Sequence, residues 1–252
     1  MKNLLPKIKY IDRIGVEIEG LWHKDIDNTV LRKKLHRLKG WTRNYDSFIQ
    51  SDGSISIGNS NPDYDDYEIT TPPLDLRNTL KAISMITKFL KHTNDTCGFH
   101  IHASFKDTNN YLKLTQPDFM TSFVKVMTKT FPETKIRTTN NFCRGTYDTG
   151  QEVSTIERQF IDTYKERTRY KAVNFCYGLH KTVEFRLFPA MQWMSDKDIF
   201  SKYVLETVGF IEHYLNSMPS KNILVEKIST TDNLYNPEPL KVLQPITINE
   251  SN

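Results

Sequence analysis

The sequence of 252 residues is 38% hydrophobic and 25% charged, which is enough apolar material for one sizeable core or two small ones. Its net charge of +4 comes from 34 basic and 30 acidic residues, and this mild excess favours an anionic ligand such as a nucleotide, with nucleic acid not indicated. No run approaches the roughly 20 apolar residues of a membrane span. Three cysteines cannot close a disulfide framework, and none of them lies in a CxxC pair that would indicate a structural zinc site. We therefore expect a soluble, cytoplasmic protein with reduced cysteines.

The first hundred residues predict alternating strands and helices. In chain order these are a strand over 13–22, a helix over 29–38, short extended runs over 42–58 and 66–73, and a helix over 74–93. The run over 42–58 contains the turn signal Asp52-Gly53. Asp75 is the predicted N-cap of the second helix, whose apolar stripe extends to Leu90.

The second half of the chain predicts the same mixture of elements. These are a strand over 97–105, helices over 117–131 and 155–170 around a loop at 138–150, strands over 172–177 and 182–188 joined as a hairpin, and a helix over 195–217 capped by Ser195. The tail over 229–252 has three prolines and no helical period, so it either wraps the body or is disordered. We expect one domain over 1–228, of class α+β with a mainly antiparallel sheet packed with helices.

Three of the predicted strands place two ionisable side chains on one face. Residues two apart in a strand point to the same side of the sheet. The three pairs are Glu17 with Glu19, His100 with His102, and Glu184 with Arg186, and each alternates with apolar residues. Glu68 lies on a fourth extended run.

This pattern has two interpretations, a solvated sheet face and a cation site. An antiparallel sheet with one wet face explains the alternation at any single strand. Wet strand faces usually carry Thr, Lys, Ser or Gln, whereas these strands carry carboxylate, imidazole and guanidinium groups. Oxygen and imidazole ligands suit Mg²⁺ or Mn²⁺, whose charge would relieve the repulsion between Glu17 and Glu19. The residue types therefore favour a divalent metal site.

The order of motifs resembles a known family. The segments "GVEIEG", "SDGSIS", "YEITTPP", "CGFHIHAS", "RYKAVNF" and "TVEFRLFPAM" follow one another over residues 14–191. This series is similar to the amidoligase family, which belongs to the carboxylate-amine ligase superfamily together with glutamine synthetase and glutamate-cysteine ligase. The resemblance implies a curved, mainly antiparallel sheet that forms a funnel-shaped active site.

The resemblance also implies roles for individual residues. Ligands of two or more Mg²⁺ ions would be Glu17, Glu19, Glu68, His100 and Glu184. Arg186 would clamp a phosphate, and Asp52 would contact either a metal or the amine. His102 would face the substrate or support a ligand. Arg169 and Asn174 would bind the nucleotide or a substrate carboxylate, although a helix end and a strand explain them equally well.

The implied activity is ATP-dependent and Mg²⁺- or Mn²⁺-dependent ligation of a carboxylate to an amine. ATP would phosphorylate the acid to an acyl phosphate, and the amine would then displace phosphate to give an amide or isopeptide bond. The substrates would be small-molecule or peptide carboxylates and amines. A metal-dependent phosphohydrolase is an alternative, because a carboxylate-rich cluster also activates water. A degenerate anion-binding protein on the same fold is a third hypothesis.

Overall fold

The structure is a computed structural model. It describes residues 5–41, 48–51, 53, 55, 57–58, 61–138, 171–176 and 181–218, without the side chains of residues 117 and 138. The strands in these ranges are β1 (Ile11–His23), β2 (Ile49–Gln50), β3 (Tyr64–Thr70), β4 (Leu90–His92), β5 (Gly98–Phe105), β6 (Val173–Cys176) and β7 (Thr182–Pro189). The α-helices are α1 (Thr29–Leu35), α2 (Leu76–Ile86), α3 (Thr108–Leu114), α4 (Pro117–Thr130), α5 (Lys135–Thr138) and α6 (Ile199–Ser217).

All seven described strands belong to one sheet, and the pairings among them are antiparallel. Their order is β2-β3-β1-β5-β7-β6, and β4 pairs with the end of β1. The predicted α+β class and antiparallel sheet are therefore confirmed. The sheet is not strongly curled, so the funnel implied by the resemblance stays a prediction. The three strands that carry paired ionisable residues, β1, β5 and β7, are direct neighbours.

The apolar face of the central strands packs against helices α4 and α6. Phe99 of β5 stacks on Phe200 of α6 with ring centroids 4.5 Å apart, and Phe123 of α4 lies 4.7 Å from Phe185 of β7. All four rings are fully buried, and each contributes about 1.5–3 kcal/mol by its removal from water. This packed layer fixes the strands from one side, which leaves their ionisable side chains on a rigid platform.

The ends of the first two predicted helices differ from the sequence prediction. The helix predicted over 74–93 ends at Ile86, and Leu90–His92 instead forms β4 along β1. Leu90 is buried in β4, and an apolar residue at this position is compatible with a helix and with a strand alike. The first helix likewise ends at Leu35, three residues before the predicted end at Leu38.

One predicted cap is confirmed and one is wrong. The Asp75 side chain accepts a hydrogen bond from the Asn78 N–H at 2.9 Å, as expected of an N-cap. Ser195 does not cap the last helix, because that helix begins at Ile199 after Asp198. Its hydroxyl donates instead to the Gln192 carbonyl at 3.0 Å. Helices α3 and α5 correspond to no predicted element.

Several predictions fall outside the described residues. They include Asp52, Arg169, the helix over 155–170, the hairpin connection at 178–180 and the tail over 229–252. Strands β6 and β7, on either side of that connection, pair antiparallel as predicted. Among the described helices, none is long and apolar enough to cross a membrane.

Candidate active site

The register of the sheet brings the predicted ionisable residues together. Directly opposite residues on neighbouring antiparallel strands have Cβ atoms about 4.5–5.5 Å apart. The opposed pairs are Glu17 with His100, Glu19 with Glu68, His102 with Glu184, and Glu184 with Asn174. Four neighbouring strands thus contribute to one cluster of carboxylates and imidazoles, and β6 adds the amide of Asn174.

Glu17 lies at the centre of this cluster and bridges two imidazoles. Its Oε2 lies 2.9 Å from His100 Nδ1, and its Oε1 lies 2.9 Å from His102 Nε2. Burial disfavours the carboxylate, but His102 and His100 outweigh burial and hold the pKa of Glu17 well below its usual range. Burial also lowers the pKa of His102, yet the Glu17 carboxylate overrides this effect and raises it to about 9.

Glu184 is held by partners on two strands. Its Oε1 lies 2.6 Å from Arg186 Nη1, and its Oε2 accepts a hydrogen bond from Asn174 Nδ2 at 3.0 Å. The side chain is buried, which disfavours its charge, but the Arg186 guanidinium lowers the pKa of Glu184 below its usual value. Cys176 Sγ lies 3.7 Å from Oε2, and burial together with Glu184 raises the pKa of this thiol. The carboxylate of Glu184 is therefore ionised and fixed in orientation.

Glu19 forms the other end of the cluster. Its Oε2 accepts a short hydrogen bond from the Gly98 N–H, and its Oε1 lies 3.6 Å from His100 Nε2. Glu19 is 4% exposed, whereas Glu68, directly opposite on β3, is half-buried. Two acidic groups therefore face one another at this end of the cluster.

Arg186 lies at an irregularity of β7. Phe99 pairs with Phe188, whereas Ile101 pairs with Phe185, so β7 has one more residue than β5 between these pairs. Such a bulge redirects a side chain and commonly occurs beside active sites. The Arg186 backbone N–H donates to the Ala172 carbonyl at 2.9 Å, and its side chain is 14% exposed. The guanidinium thus contacts the cluster while keeping some access to solvent.

Two overlapping groups could hold a divalent cation. One consists of Glu17, His100 and Glu184, and the other of Glu19, Glu68 and His100; within each group the ligand atoms lie within 4.8 Å of one another. His100 is 1% exposed, and its Nε2 makes no hydrogen bond to the described residues. Carboxylate oxygens with imidazole nitrogen suit Mg²⁺ or Mn²⁺. The residues present therefore fit such a metal.

Most of the residues predicted from the sequence meet in this cluster. The structure brings together Glu17, Glu19, Glu68, His100, His102, Asn174, Glu184 and Arg186. Sequence reasoning missed three neighbours, Arg137, Cys176 and Thr182, of which Thr182 Oγ1 lies 3.4 Å from His102 Nδ1. The alternation of β7 places Thr182 on the same face as Glu184, which is a signal that could have identified it. No local pattern marks Arg137, because it approaches the cluster from a separate helix.

Comparison with known proteins agrees with the motifs. A family model with the description "Putative amidoligase enzyme" matches residues 12–205, a range that contains every strand of the sheet except the first residue of β1. No curated protein matches the sequence significantly. The matched range includes the whole candidate site, and the chain belongs to this amidoligase family.

Proposed function

We propose that the protein is an ATP-dependent and Mg²⁺- or Mn²⁺-dependent carboxylate-amine ligase that forms an amide or isopeptide bond through an acyl phosphate. One observation carries the proposal. In a chain of the amidoligase family, the Arg186 guanidinium lies against Glu184 within a cluster of carboxylates and imidazoles. A guanidinium beside a metal site can bind an anion that the metal also binds, and the γ-phosphate of ATP is such an anion.

The candidate ligands would hold divalent ions at two positions. Glu17, His100 and Glu184 would hold one ion, and Glu19 and Glu68 would contribute to a second. When bound, such ions neutralise the polyphosphate and align it with the attacking carboxylate. Burial of Glu19, His100 and Glu184 supports this assignment, because these ligands need little reordering before a cation binds.

Arg186 would bind two oxygens of the transferred phosphoryl group. Its planar fork of donors suits bidentate contact with phosphate, which a lysine ammonium cannot reproduce. The contact with Glu184 orients the fork, and Asn174 in turn holds the second oxygen of Glu184. This chain of contacts would keep Arg186 in position as negative charge develops in the transition state.

The reaction would proceed in two displacements. A carboxylate oxygen of the acid attacks the γ-phosphorus, the bond to the β–γ bridging oxygen breaks, and ADP leaves. The amine nitrogen then attacks the acyl carbon, phosphate leaves with the bonding pair, and the proton lost by the amine passes to the departing phosphate. Asp52 and Arg169 are proposed contacts for the amine and the nucleotide, respectively, and His102 is proposed to face the substrate.

The test is a pairwise screen of acids and amines with ATP and Mg²⁺, measuring ADP by a coupled assay and product by mass spectrometry. We expect ADP in proportion to a product whose mass equals acid plus amine minus water. Glu206→Gln, an exposed site on α6, is the matched control for Glu17→Gln, which should abolish both signals. Phosphate release that needs no amine and yields no amide would overturn the proposed ligation and indicate a phosphohydrolase.

A further inference from the structure

Arg137 is a buried cation close to the candidate site. It lies on α5, which packs against β7, and only 1% of the residue is exposed. An arginine keeps its charge even when buried, and its desolvation costs several kcal/mol unless anionic groups are near. Gly98, the first residue of β5, lies close to the Arg137 side chain.

Gly98 lies between Arg137 and His100. A Cβ atom added to Gly98 would lie 2.6 Å from Arg137 Nη2 and 2.5 Å from His100 Nε2, closer than real Cβ contacts allow. The two nitrogens therefore approach the same point, and the missing side chain leaves the room for both. The Gly98 N–H also donates to Glu19 Oε2. Arg137 thus reaches the Glu19 end of the cluster through the gap at Gly98.

The two ring nitrogens of His100 face different groups. Nδ1 lies 2.9 Å from Glu17 and 3.8 Å from Glu184. Nε2 lies 3.6 Å from Glu19 Oε1 and makes no hydrogen bond to the described residues. By distance alone, either nitrogen could bind a cation, because His100 belongs to both groups of candidate ligands. A fixed positive charge beside Nε2 disfavours a second cation there.

We infer that Arg137 is a positioning residue that selects the metal-binding nitrogen of His100. With Arg137 on the Nε2 side, His100 binds a divalent cation through Nδ1 together with Glu17 and Glu184. A cation between Glu19 and Glu68 is then held by carboxylates without the imidazole. This inference rests on the proposed metal site, which it deepens by assigning one ligand atom and one electrostatic determinant.

The test uses Mn²⁺ with the whole chain, prepared with histidine labelled with ¹⁵N at either Nδ1 or Nε2. Electron spin-echo spectroscopy detects which labelled nitrogen is bonded to the Mn²⁺ ion, and a His102→Asn background removes the other imidazole of the cluster. We expect coupling to Nδ1 alone. Coupling to Nε2 would overturn the inference and leave the metal site standing. No Mn²⁺ binding at all would overturn both the inference and the proposed function.

Two variants separate an electrostatic role from a structural one. Arg137→Met keeps an unbranched apolar stem but removes the charge, so we expect Nε2 coupling to appear and a second Mn²⁺ ion to bind roughly threefold or more tightly. Arg137→Lys should restore coupling to Nδ1 alone, and Lys135→Met, on the exposed part of the same helix, should resemble the native protein. A lower melting temperature with unchanged nitrogen coupling in Arg137→Met would overturn the electrostatic role. If Arg137→Met fails to fold, Arg137→Gln, which also removes the charge but keeps a polar side chain, is measured in its place with the same expected and contrary results.

Discussion

Buried carboxylates at two places in this protein are stabilised by different kinds of partner. Glu212 of α6 accepts backbone hydrogen bonds from Lys9, Tyr10 and Ile11 at 2.8–2.9 Å. The carboxylates of the candidate site, in contrast, contact imidazole and guanidinium side chains. Both Glu212 and Glu184 are less than one tenth exposed, so burial alone does not separate them.

The difference lies in what the partners can do. A backbone N–H neither titrates nor moves away, so Glu212 is permanently satisfied and ties the segment before β1 to the last described helix. An imidazole or guanidinium partner can reorient toward a ligand, and a metal ion can replace it as the counter-charge. Buried carboxylates with ionisable partners therefore mark a candidate site, whereas those with backbone partners mark an anchor.

The largest effect should follow loss of a site carboxylate. We expect Glu184→Gln to lower the rate of amide formation by ~10³-fold, about 4 kcal/mol, because a metal ligand and the partner of Arg186 are removed together. The fold should persist, since the amide can still accept from Asn174. Steady-state rates and a melting curve measure both effects, with Glu206→Gln as control. Near-normal turnover at saturating Mg²⁺ would contradict the assignment of Glu184.

Loss of Glu212, the anchor, should have the opposite effect, lowering stability while leaving activity close to native. We expect Glu212→Ala to lower the free energy of unfolding by about 3 kcal/mol, because three backbone donors lose a charged acceptor. Urea unfolding measures this loss, and the exposed Glu206→Ala serves as control. Activity of the folded variant at low temperature should be close to native. A variant with native stability but little activity would contradict the assignment of Glu212 as a structural anchor.

Substitution of Arg186 should have a smaller effect, which distinguishes phosphate binding by this residue from a purely structural role. We expect Arg186→Lys to bind nucleotide within several-fold of native affinity but to form the acyl phosphate ~10²-fold more slowly, because lysine lacks the bidentate fork. Single-turnover measurements and a melting curve on one preparation test this. If the rate is native while the melting temperature falls, Arg186 only holds Glu184 in place.

Stabilisation by a divalent metal should depend on the carboxylates of the candidate site and not on Glu212. At ten times its Kd, Mg²⁺ or Mn²⁺ should stabilise the folded protein by about 1.4 kcal/mol, because the unfolded chain does not hold the carboxylates together. The same increment is expected in Glu212→Gln, and a reduced one in Glu17→Gln. Thermal unfolding with and without metal provides the comparison. Equal stabilisation of both variants by the metal would show that Glu17 is not a metal ligand.

The smallest effect concerns pH in the metal-free protein. The pKa of His102 is raised from 6.5 to about 9, so its contribution to stability is full below pH 6.5 and is lost as the pH rises through 9. The pKa of Glu17 is lowered from 4.5, so its contribution is present above pH 4.5 and is lost on acidification. We expect a decline on the order of 1 kcal/mol between pH 6.5 and 9. Urea unfolding of His102→Asn should show a flatter profile there, and an unchanged decline would contradict this assignment.

The sequence predicts those features that depend on local periodicity. Alternation over 97–105 places His100 and His102 on one face of the strand that the structure contains as β5. Because the motifs are on strands, the same alternation also separates the site face from the apolar face packed by Phe99 and Phe185. Register between strands then brings the pairs together, and no local pattern encodes that register.

Features that depend on contacts between residues distant in sequence are not predicted by local patterns. Leu90 satisfies a helical stripe and a strand equally well, and its pairing with β1 decides between them. Arg137 appears as one basic residue in a short helix, and its importance depends on the missing side chain of Gly98, 39 positions earlier in the chain. Glu212 lies among inward-facing residues of α6, and its role requires the backbone of Tyr10.

The bond between Ile11 and Glu212 has a consequence for the order of folding. It joins residues 201 positions apart, and β1 lies in the interior of the sheet between β3 and β5. During synthesis, β1 can pair with β3 early, but its beginning gains its carboxylate acceptor only after α6 has been made. Long-range contacts of this kind slow folding and prolong the exposure of apolar strands. A nascent chain that stops before α6 would therefore leave β1 without its anchor and rely on chaperones to avoid aggregation.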